Sequence, residues 1–118
     1  MLAAVIACGP AAPGRHAISN TELATKIQQG QAPLVLDVRT PEEFKSGHIP
    51  GAVNIPIDEL GSRLGELRIG KGDEVVVHCE KGARAAKAEA LLQQSGYADV
   101  VDLSGHMKGW RDAGLPVE

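Results

Sequence analysis

The sequence predicts an α/β domain with an open, mainly parallel sheet of four or five strands and helices on both faces. Two observations support this prediction. First, short aliphatic runs alternate along the chain with segments whose apolar residues recur at helical spacing. Second, the runs at residues 34–38 and 74–78 are apolar at successive positions. Such runs are typical of central parallel strands, because both faces of these strands are buried.

The ends of the predicted elements are marked by capping residues, prolines and glycines. Thr40 precedes Pro41, which is typical of a helix whose first residue is proline. Gly30, Gly47 and Gly96 each follow a helical segment and favour its termination. The predicted strands cover residues 34–38, 52–55, 74–78 and 100–103. The predicted helices cover residues 19–29, 40–46, 57–67, 83–95 and 107–113.

Composition excludes several classes of protein. The chain has 118 residues, which suits one compact domain. Three aromatic residues are too few for base-stacking platforms, and a net charge of −3 without a basic run argues against a nucleic-acid partner. Two cysteines exclude a disulfide framework and a four-cysteine zinc site, and the four histidines are scattered. We therefore expect no metal site.

The beginning of the chain differs in composition from the rest. Residues 1–17 are interpreted as a flexible tail ahead of a domain at residues 18–118. The segment Val5–Cys8 resembles the lipobox of a bacterial lipoprotein signal, in which the cysteine is lipidated, and a Gly/Pro/Ala-rich stretch follows it. This resemblance implies lipidation at Cys8 and a periplasmic or outer-side, membrane-anchored location. The alternative is a disordered tail on a cytoplasmic protein, in which Cys8 has no role.

Cys79 is the strongest candidate for a reactive side chain. It follows the predicted strand at residues 74–78 and precedes the predicted helix at residues 83–95, and ligands of open α/β sheets bind beyond the carboxyl ends of strands. A tight loop that enters a helix directs N–H groups at one point, which lowers the pKa of a thiol there. Lys81 and Arg84 add positive charge, and Gly82 permits a sharp turn. The alternative is an inert, buried thiol.

Four linked segments resemble the rhodanese (sulfurtransferase) family of the small single-domain type. Residues 79–84 (CEKGAR) resemble its active-site loop, residues 36–44 and 47–56 resemble its N-terminal signature, and residues 105–116 resemble its C-terminal signature. The resemblance extends from about residue 18 to residue 117 and implies a rhodanese-like fold. At His106 the family often has a glycine, and we expect this difference only to alter a turn.

The resemblance also implies a reaction. Cys79 would take a sulfane sulfur from a donor such as thiosulfate, carry it as a persulfide, and give it to cyanide or a thiol acceptor. The substrate-binding residues that the resemblance implies are the rest of the loop: Glu80, Lys81, Gly82, Ala83 and Arg84. No cofactor and no nucleic-acid partner are expected, membrane contact is expected only through the anchor at Cys8, and the oligomeric state is left open.

Two other functions are left open. A non-catalytic rhodanese module would serve binding or regulation, although such modules often lack the cysteine. A cysteine-dependent phosphatase or arsenate reductase is the second alternative, but these relatives have a loop one residue longer than the six residues from Cys79 to Arg84. Glu80 bears on the donor, because a carboxylate that points toward the thiol raises the pKa of that thiol and repels anions.

Several other polar residues are interpreted as structural. Asp37 and Arg39 follow the first central strand, and we expect them to support the site by joining adjacent loops through charge-assisted hydrogen bonds. His78 should point to the opposite side of its strand from Cys79, which argues against a catalytic Cys–His pair there.

Three more features are assigned to turns, core or solvent. His48 is expected to hydrogen-bond to the backbone of a turn, and Trp110 is expected to pack in the core. The pair Glu42–Glu43 is interpreted as a solvated first helical turn, where carboxylates are favoured by the helix dipole.

Overall fold

The structure, a computed structural model, describes residues 17–118. Its strands are β1 (Ala17–Ile18), β2 (Leu34–Asp37), β3 (Val53–Asn54), β4 (Glu74–His78) and β5 (Asp99–Leu103). Its helices are α1 (Asn20–Gln28), α2 (Pro41–Lys45), α3 (Ile57–Leu60), α4 (Ala83–Gln94) and α5 (His106–Asp112), with one 3₁₀ turn at Leu64–Glu66. The strands form one sheet in the order β1-β5-β4-β2-β3. Every neighbouring pair of strands is parallel.

Helices cover both faces of this sheet, which confirms the predicted class. Successive residues of each strand point to opposite faces, so the sheet supports two cores. One core joins the strands to α3 and α4 through Leu60 and Leu92. The other joins them to α1 and α5 through Leu23, Met107 and Trp110. Trp110 is buried, as the sequence predicted.

The helix starts follow the capping chemistry of the sequence. The Ser19 hydroxyl accepts the N–H of Glu22 and caps α1. At α2, Thr40 and Glu43 form a reciprocal capping box, with Pro41 as the first helical residue. Both caps replace hydrogen bonds that the first turn of a helix lacks.

The structure differs from the prediction in two places. The single helix expected at residues 57–67 is instead α3 followed by the 3₁₀ turn, because Gly61 and Gly65 lower the helical preference of this segment. Leu60 and Leu67 still reach the core. β1 was not predicted, and its two residues pair with β5. Ala17 therefore lies in the sheet, one residue before the expected start of the domain.

The parallel register brings three chain segments to the carboxyl edge of the sheet. Asp37 at the end of β2 pairs with His78 at the end of β4, and β5 ends beside them at Leu103. The loop after β4 and the start of α5 consequently meet at this edge. Cys8 lies outside the described residues. Within residues 17–118, none of the helices combines the length and the apolar character needed to span a bilayer.

Candidate active site

Cys79 is the first residue after β4, at the carboxyl edge of the sheet. Its Sγ accepts the backbone N–H of Gly82 at 3.0 Å and that of Ala85 at 3.4 Å. Gly82 has φ 133°, a conformation that side chains rarely adopt, and this turn folds the loop around the sulfur. The residue is 1% exposed. The thiol is therefore buried and receives N–H donors from the loop and from the first turn of α4.

These surroundings change the acidity of the thiol. Burial raises the pKa of Cys79, because it disfavours the charged thiolate, whereas the hydrogen bonds with His106, Ala85 and Gly82 lower it. The lowering contributions prevail, so the pKa falls from an ordinary 9.0 to about 7. A large share of the sulfur is consequently thiolate at neutral pH, which is the nucleophilic form.

His106 lies against this thiol, and the expectation that it only alters a turn was wrong. Its Nδ1 accepts the backbone N–H of Cys79 at 3.3 Å. Met107 N–H donates to the Cys79 carbonyl at 3.0 Å and fixes the start of α5 against the loop. The position of His106 just after β5 is the signal that could have indicated it. The carboxyl ends of parallel strands lie at the same edge of a sheet, so residues that follow β5 lie near those that follow β4.

Arg84, the last residue of the loop, is paired with a carboxylate of α2. Its Nη1 donates to Glu43 Oε1 at 2.7 Å, and its Nη2 donates to Glu43 Oε2 at 3.1 Å. The hydrogen bond from Arg84 lowers the pKa of Glu43 to about 2. Glu43 is therefore part of an ion pair, and the interpretation of Glu42–Glu43 as a merely solvated turn was wrong for Glu43.

Glu80 contacts two further arginines. Arg111 of α5 donates directly to its carboxylate, and Arg39 Nη1 lies 3.7 Å from Glu80 Oε1. The Glu80 side chain is 24% exposed. Its carboxylate therefore lies along the loop, between a buried and a surface guanidinium, rather than free in solvent. Its charge offsets positive charge that would otherwise attract an anionic substrate.

Asp37 and Arg39 form a buried ion pair below this edge. Arg39 Nη2 donates to Asp37 Oδ2 at 2.8 Å and to the carbonyl of Gly47 at 2.9 Å. Both side chains are almost completely buried. The pair thereby joins the end of β2 to the end of α2, and it places the guanidinium of Arg39 within reach of Glu80.

Two other histidines, His78 and His48, hydrogen-bond to backbone carbonyl groups. His78 is buried, its Nδ1 lies 3.1 Å from the Cys79 carbonyl oxygen, and its Nε2 lies 3.6 Å from Asp37 Oδ2. Burial lowers the pKa of His78, so its ring is neutral near pH 7. His48 hydrogen-bonds through Nδ1 to the carbonyl of Phe44 at 3.0 Å, as expected for a turn residue.

The comparison with known proteins assigns this architecture. A family profile described as Rhodanese-like domain matches residues 19–113. The chain belongs to the rhodanese family. A curated sulfurtransferase of Allochromatium vinosum is 36% identical over 100 residues, covering 85% of this chain and 92% of its own length. A solved rhodanese-related protein of Thermoplasma volcanium is 34% identical, with a TM-score of 0.75 and coverage of 87% of this chain and 97% of that one.

Rhodanese domains also occur within larger proteins. The HTH-type transcriptional regulator Rv0324 of Mycobacterium tuberculosis is 44% identical over 106 residues, which cover 86% of this chain. The match spans only 44% of the regulator's own length. Similarity to a rhodanese domain is therefore shared by proteins named for sulfur transfer and by a protein named for regulation.

The described part of this rhodanese domain has a cavity at the loop and a groove on another side. A cavity of about 300 Å³ is lined by the six loop residues, from Cys79 to Arg84. A larger groove of about 380 Å³ lies between α1 and α5 and has a mainly apolar lining that includes Ile27, Trp110 and Leu115. The polar side chains that line that groove are those of Thr21, Thr25 and Gln28, none of them ionisable, whereas the smaller cavity contains the Cys79 thiol. No cluster of three or more potential metal ligands is found at residues 17–118.

Proposed function

We propose that this chain is a single-domain sulfurtransferase in which Cys79 carries the transferred sulfur. The observation that supports the proposal most directly is the set of backbone N–H donors around the thiol. The N–H groups of Gly82 and Ala85 point at Sγ, in a cavity lined by the loop. The pKa of about 7 makes the thiolate available at neutral pH.

In the first half of the reaction, the Cys79 thiolate attacks the outer sulfur of a donor such as thiosulfate. The new Sγ–S bond forms as the donor's S–S bond breaks, and sulfite leaves with the electron pair of that bond. In the second half, cyanide or a thiolate attacks the outer sulfur of the persulfide, and Cys79 leaves as a thiolate. The backbone donors of the loop stabilise the anionic sulfur in both halves.

The charge around the loop affects which sulfur donor the site would bind. Arg84 is paired with Glu43, Arg39 with Asp37, and Arg111 with Glu80. Lys81 makes no ion pair within residues 17–118 and is the loop's uncompensated cation. A single such charge suits a persulfide or another singly charged donor better than the thiosulfate dianion. We therefore expect thiosulfate to be a donor with a high KM.

The test is the intact mass of the full chain after incubation with thiosulfate or glutathione persulfide. Wild type is expected to gain one sulfur atom and to lose it when cyanide or dithiothreitol is added. Cys79→Ser is expected to gain none, whereas Cys8→Ser, the matched cysteine control, is expected to behave as wild type. Equal sulfur loading of Cys79→Ser, or no loading of wild type by either donor, would refute the proposal.

The outcomes also separate the alternatives. A regulatory module, as the similarity to a regulator allows, would take up no sulfur from either donor. A cysteine-dependent phosphatase would instead hydrolyse an aryl phosphate, and that activity would be lost in Cys79→Ser but retained in Cys8→Ser.

A further inference from the structure

His106 is the first residue of α5, and its backbone conformation is one that histidine rarely adopts. Its φ is 52°, and within residues 17–118 it is the one residue other than glycine with a positive φ. Such conformations are costly and persist only where the surrounding structure imposes them. The contacts of the His106 side chain show what this conformation achieves.

The turn that leads into α5 is held against the rest of the fold. Ser104 N–H donates to the Ile18 carbonyl at 2.9 Å. A Cβ built on Gly105 would lie 2.9 Å from Asn20 Nδ2, so the turn packs directly against α1. The fixed turn carries the His106 ring to the cysteine loop, where the residue is only 7% exposed.

The imidazole of His106 contacts two residues of the turn that surrounds the thiol. Its Nδ1 accepts the backbone N–H of Cys79 at 3.3 Å. Its Nε2 would lie 3.1 Å from a Cβ built on Gly82, so the ring also packs against this glycine. Gly82 in turn donates its N–H to Cys79 Sγ at 3.0 Å. One ring therefore supports both the residue that carries the sulfur and a residue that donates to the sulfur.

Both peptide groups of Cys79 are tied to α5. Its N–H donates to His106 Nδ1, and its carbonyl accepts the N–H of Met107 at 3.0 Å. The next loop residue is held as well, because Lys108 N–H donates to the Glu80 carbonyl at 3.1 Å. Once the backbone of Cys79 is fixed, the position of Sγ depends only on rotation about the Cα–Cβ bond.

The bond to the Cys79 N–H also defines the state of the ring. Only an unprotonated ring nitrogen can accept an N–H, so the lone pair of His106 Nδ1 is engaged by the Cys79 backbone. The proton of the neutral imidazole is then on Nε2, which lies 3.5 Å from Asp102 Oδ1. Because its lone pair is engaged, Nδ1 is not available for the thiol proton. The ring therefore holds the cysteine rather than exchanging a proton with it.

Protonation of the ring competes with this bond. Burial lowers the pKa of His106, whereas Cys79 of the loop and Asp102 of β5 raise it, and the raising contributions prevail. Burial keeps His78 of β4 neutral, and Asn20 of α1 is uncharged. A proton on Nδ1 would face the Cys79 N–H, and two donors cannot form a hydrogen bond. The contact is therefore present above the pKa of His106 and is lost as the pH falls through it.

Resting on the proposed sulfur-transfer function, we infer that His106 is a positioning residue whose Nδ1 holds the Cys79 backbone so that Sγ meets the N–H donors of the loop. The juxtaposition that supports this role is the single imidazole against both Cys79 and Gly82. A sulfur displaced by about 1 Å would lose these donors, and misplacement on this scale costs up to about 100-fold in rate. The ring itself forms no bond to the substrate.

Three variants separate the hydrogen-bond acceptor from the volume of the ring. In His106→Asn, Oδ1 can take the place of Nδ1 and accept the Cys79 N–H, and asparagine tolerates a positive φ. His106→Gly adopts the same φ without strain but has no acceptor. His106→Leu fills more of the ring's volume than asparagine does, and it also has no acceptor. Rescue by asparagine alone is therefore expected if the acceptor is what positions Cys79.

The first readout is hydrogen exchange of the Cys79 amide in the full chain, which does not require sulfur transfer. Its rate is read relative to that of Val76, which lies in the middle of β4 between β2 and β5 and reports opening of the whole fold. At mildly alkaline pH, the relative rate in His106→Asn should equal that of wild type. In His106→Gly and His106→Leu it should be about 2- to 13-fold faster, as the loss of one hydrogen bond predicts. On acidification, the relative rate should increase in wild type but not in His106→Asn.

Steady-state transfer of sulfur from thiosulfate to cyanide supplies the second readout. In His106→Gly and His106→Leu, kcat should fall by about 10- to 100-fold, because the sulfur is misplaced in the transition state. KM should change little, because the cations of the loop are unaltered. His106→Asn should keep a kcat close to that of wild type.

Several outcomes would overturn the positioning role. They are an asparagine variant that loses as much activity as the glycine variant, a leucine variant that matches wild type, and a Cys79 amide that exchanges equally fast in wild type and His106→Gly. If a variant does not fold, the pH profile of Cys79 exchange in wild type still decides, and a flat profile relative to Val76 contradicts the role. A wild type that takes up no sulfur would instead refute the proposed function, while the exchange rates would still establish whether His106 holds Cys79.

Discussion

Arg84 and Glu43 form a bidentate ion pair that joins the last residue of the cysteine loop to helix α2. The two residues are 41 positions apart in the sequence. The two hydrogen bonds are 2.7 and 3.1 Å long. Glu43 simultaneously completes the capping box of α2 with Thr40. This pairing neutralises the loop arginine, so the residues of the loop alone overstate the positive charge at the site.

Glu43→Gln is expected to increase the affinity for thiosulfate. Glutamine preserves the capping box, but it removes the charge that opposes Arg84. A half-exposed pair of this kind contributes about 0.2–1 kcal/mol, so KM for thiosulfate should fall by about 1.4- to 5-fold. Steady-state kinetics with cyanide as acceptor give the value. Glu42→Gln, which changes the adjacent exposed carboxylate, is the matched control, and an equal effect in both variants would contradict the role of the pair.

Glu80→Gln tests the second carboxylate of the loop. Removal of its charge frees Arg111 and leaves Arg39 opposed only by Asp37. KM for thiosulfate should fall, and the fall should diminish at high ionic strength, because the freed attraction is partly exposed to solvent. The measurement is KM as a function of salt concentration. An unchanged KM would mean that the Glu80 carboxylate does not reduce anion binding.

Gly82→Ala tests the turn that folds the loop around the thiol. At φ 133° an alanine is strained, and its Cβ would lie 3.1 Å from His106 Nε2. We expect a loss of about 1–3 kcal/mol in the free energy of unfolding and slower alkylation of Cys79 at neutral pH. Urea unfolding and alkylation rates provide both values. Gly65→Ala, at an open and exposed glycine, should change neither quantity.

Glu89→Gln tests the half-buried carboxyl group of Glu89, whose pKa is raised by burial and by the carboxylate of Asp102. Since folding raises the pKa of Glu89 from 4.5 to about 9, the folded state binds a proton that the unfolded state has lost between these values. The stabilisation is complete below the unfolded pKa and is lost as the pH rises through the folded one. The Tm of wild type should therefore fall from about pH 5 to about pH 9. In Glu89→Gln, Tm should depend less on pH over this range. A slope equal to that of wild type would mean that Glu89 is ionised in the fold.

Local patterns in the sequence account for most of the fold. The aliphatic runs at β2 and β4 predict central parallel strands because both of their faces are buried, and the Thr40–Pro41 and Ser19 signals predict the helix starts. The segment at residues 57–67 was misjudged because its leucines kept helical spacing while Gly61 and Gly65 interrupted the helix. β1 was missed because two residues carry no periodicity, and only pairing with β5 makes them a strand.

For the site, the sequence alone was enough to select Cys79 as the candidate nucleophile. Cys79 stands where a strongly apolar strand meets a polar, glycine-containing turn and a helix, and this information is contiguous in the chain. The tertiary structure decided what surrounds the thiol. His106 and Glu43 reach the loop from α5 and α2, and Asp102 of β5 lies beside His106, because parallel strands bring distant segments to one edge of the sheet. The pairing of charges likewise depends on distances in space. The net charge around the loop could therefore not be predicted from the loop residues alone.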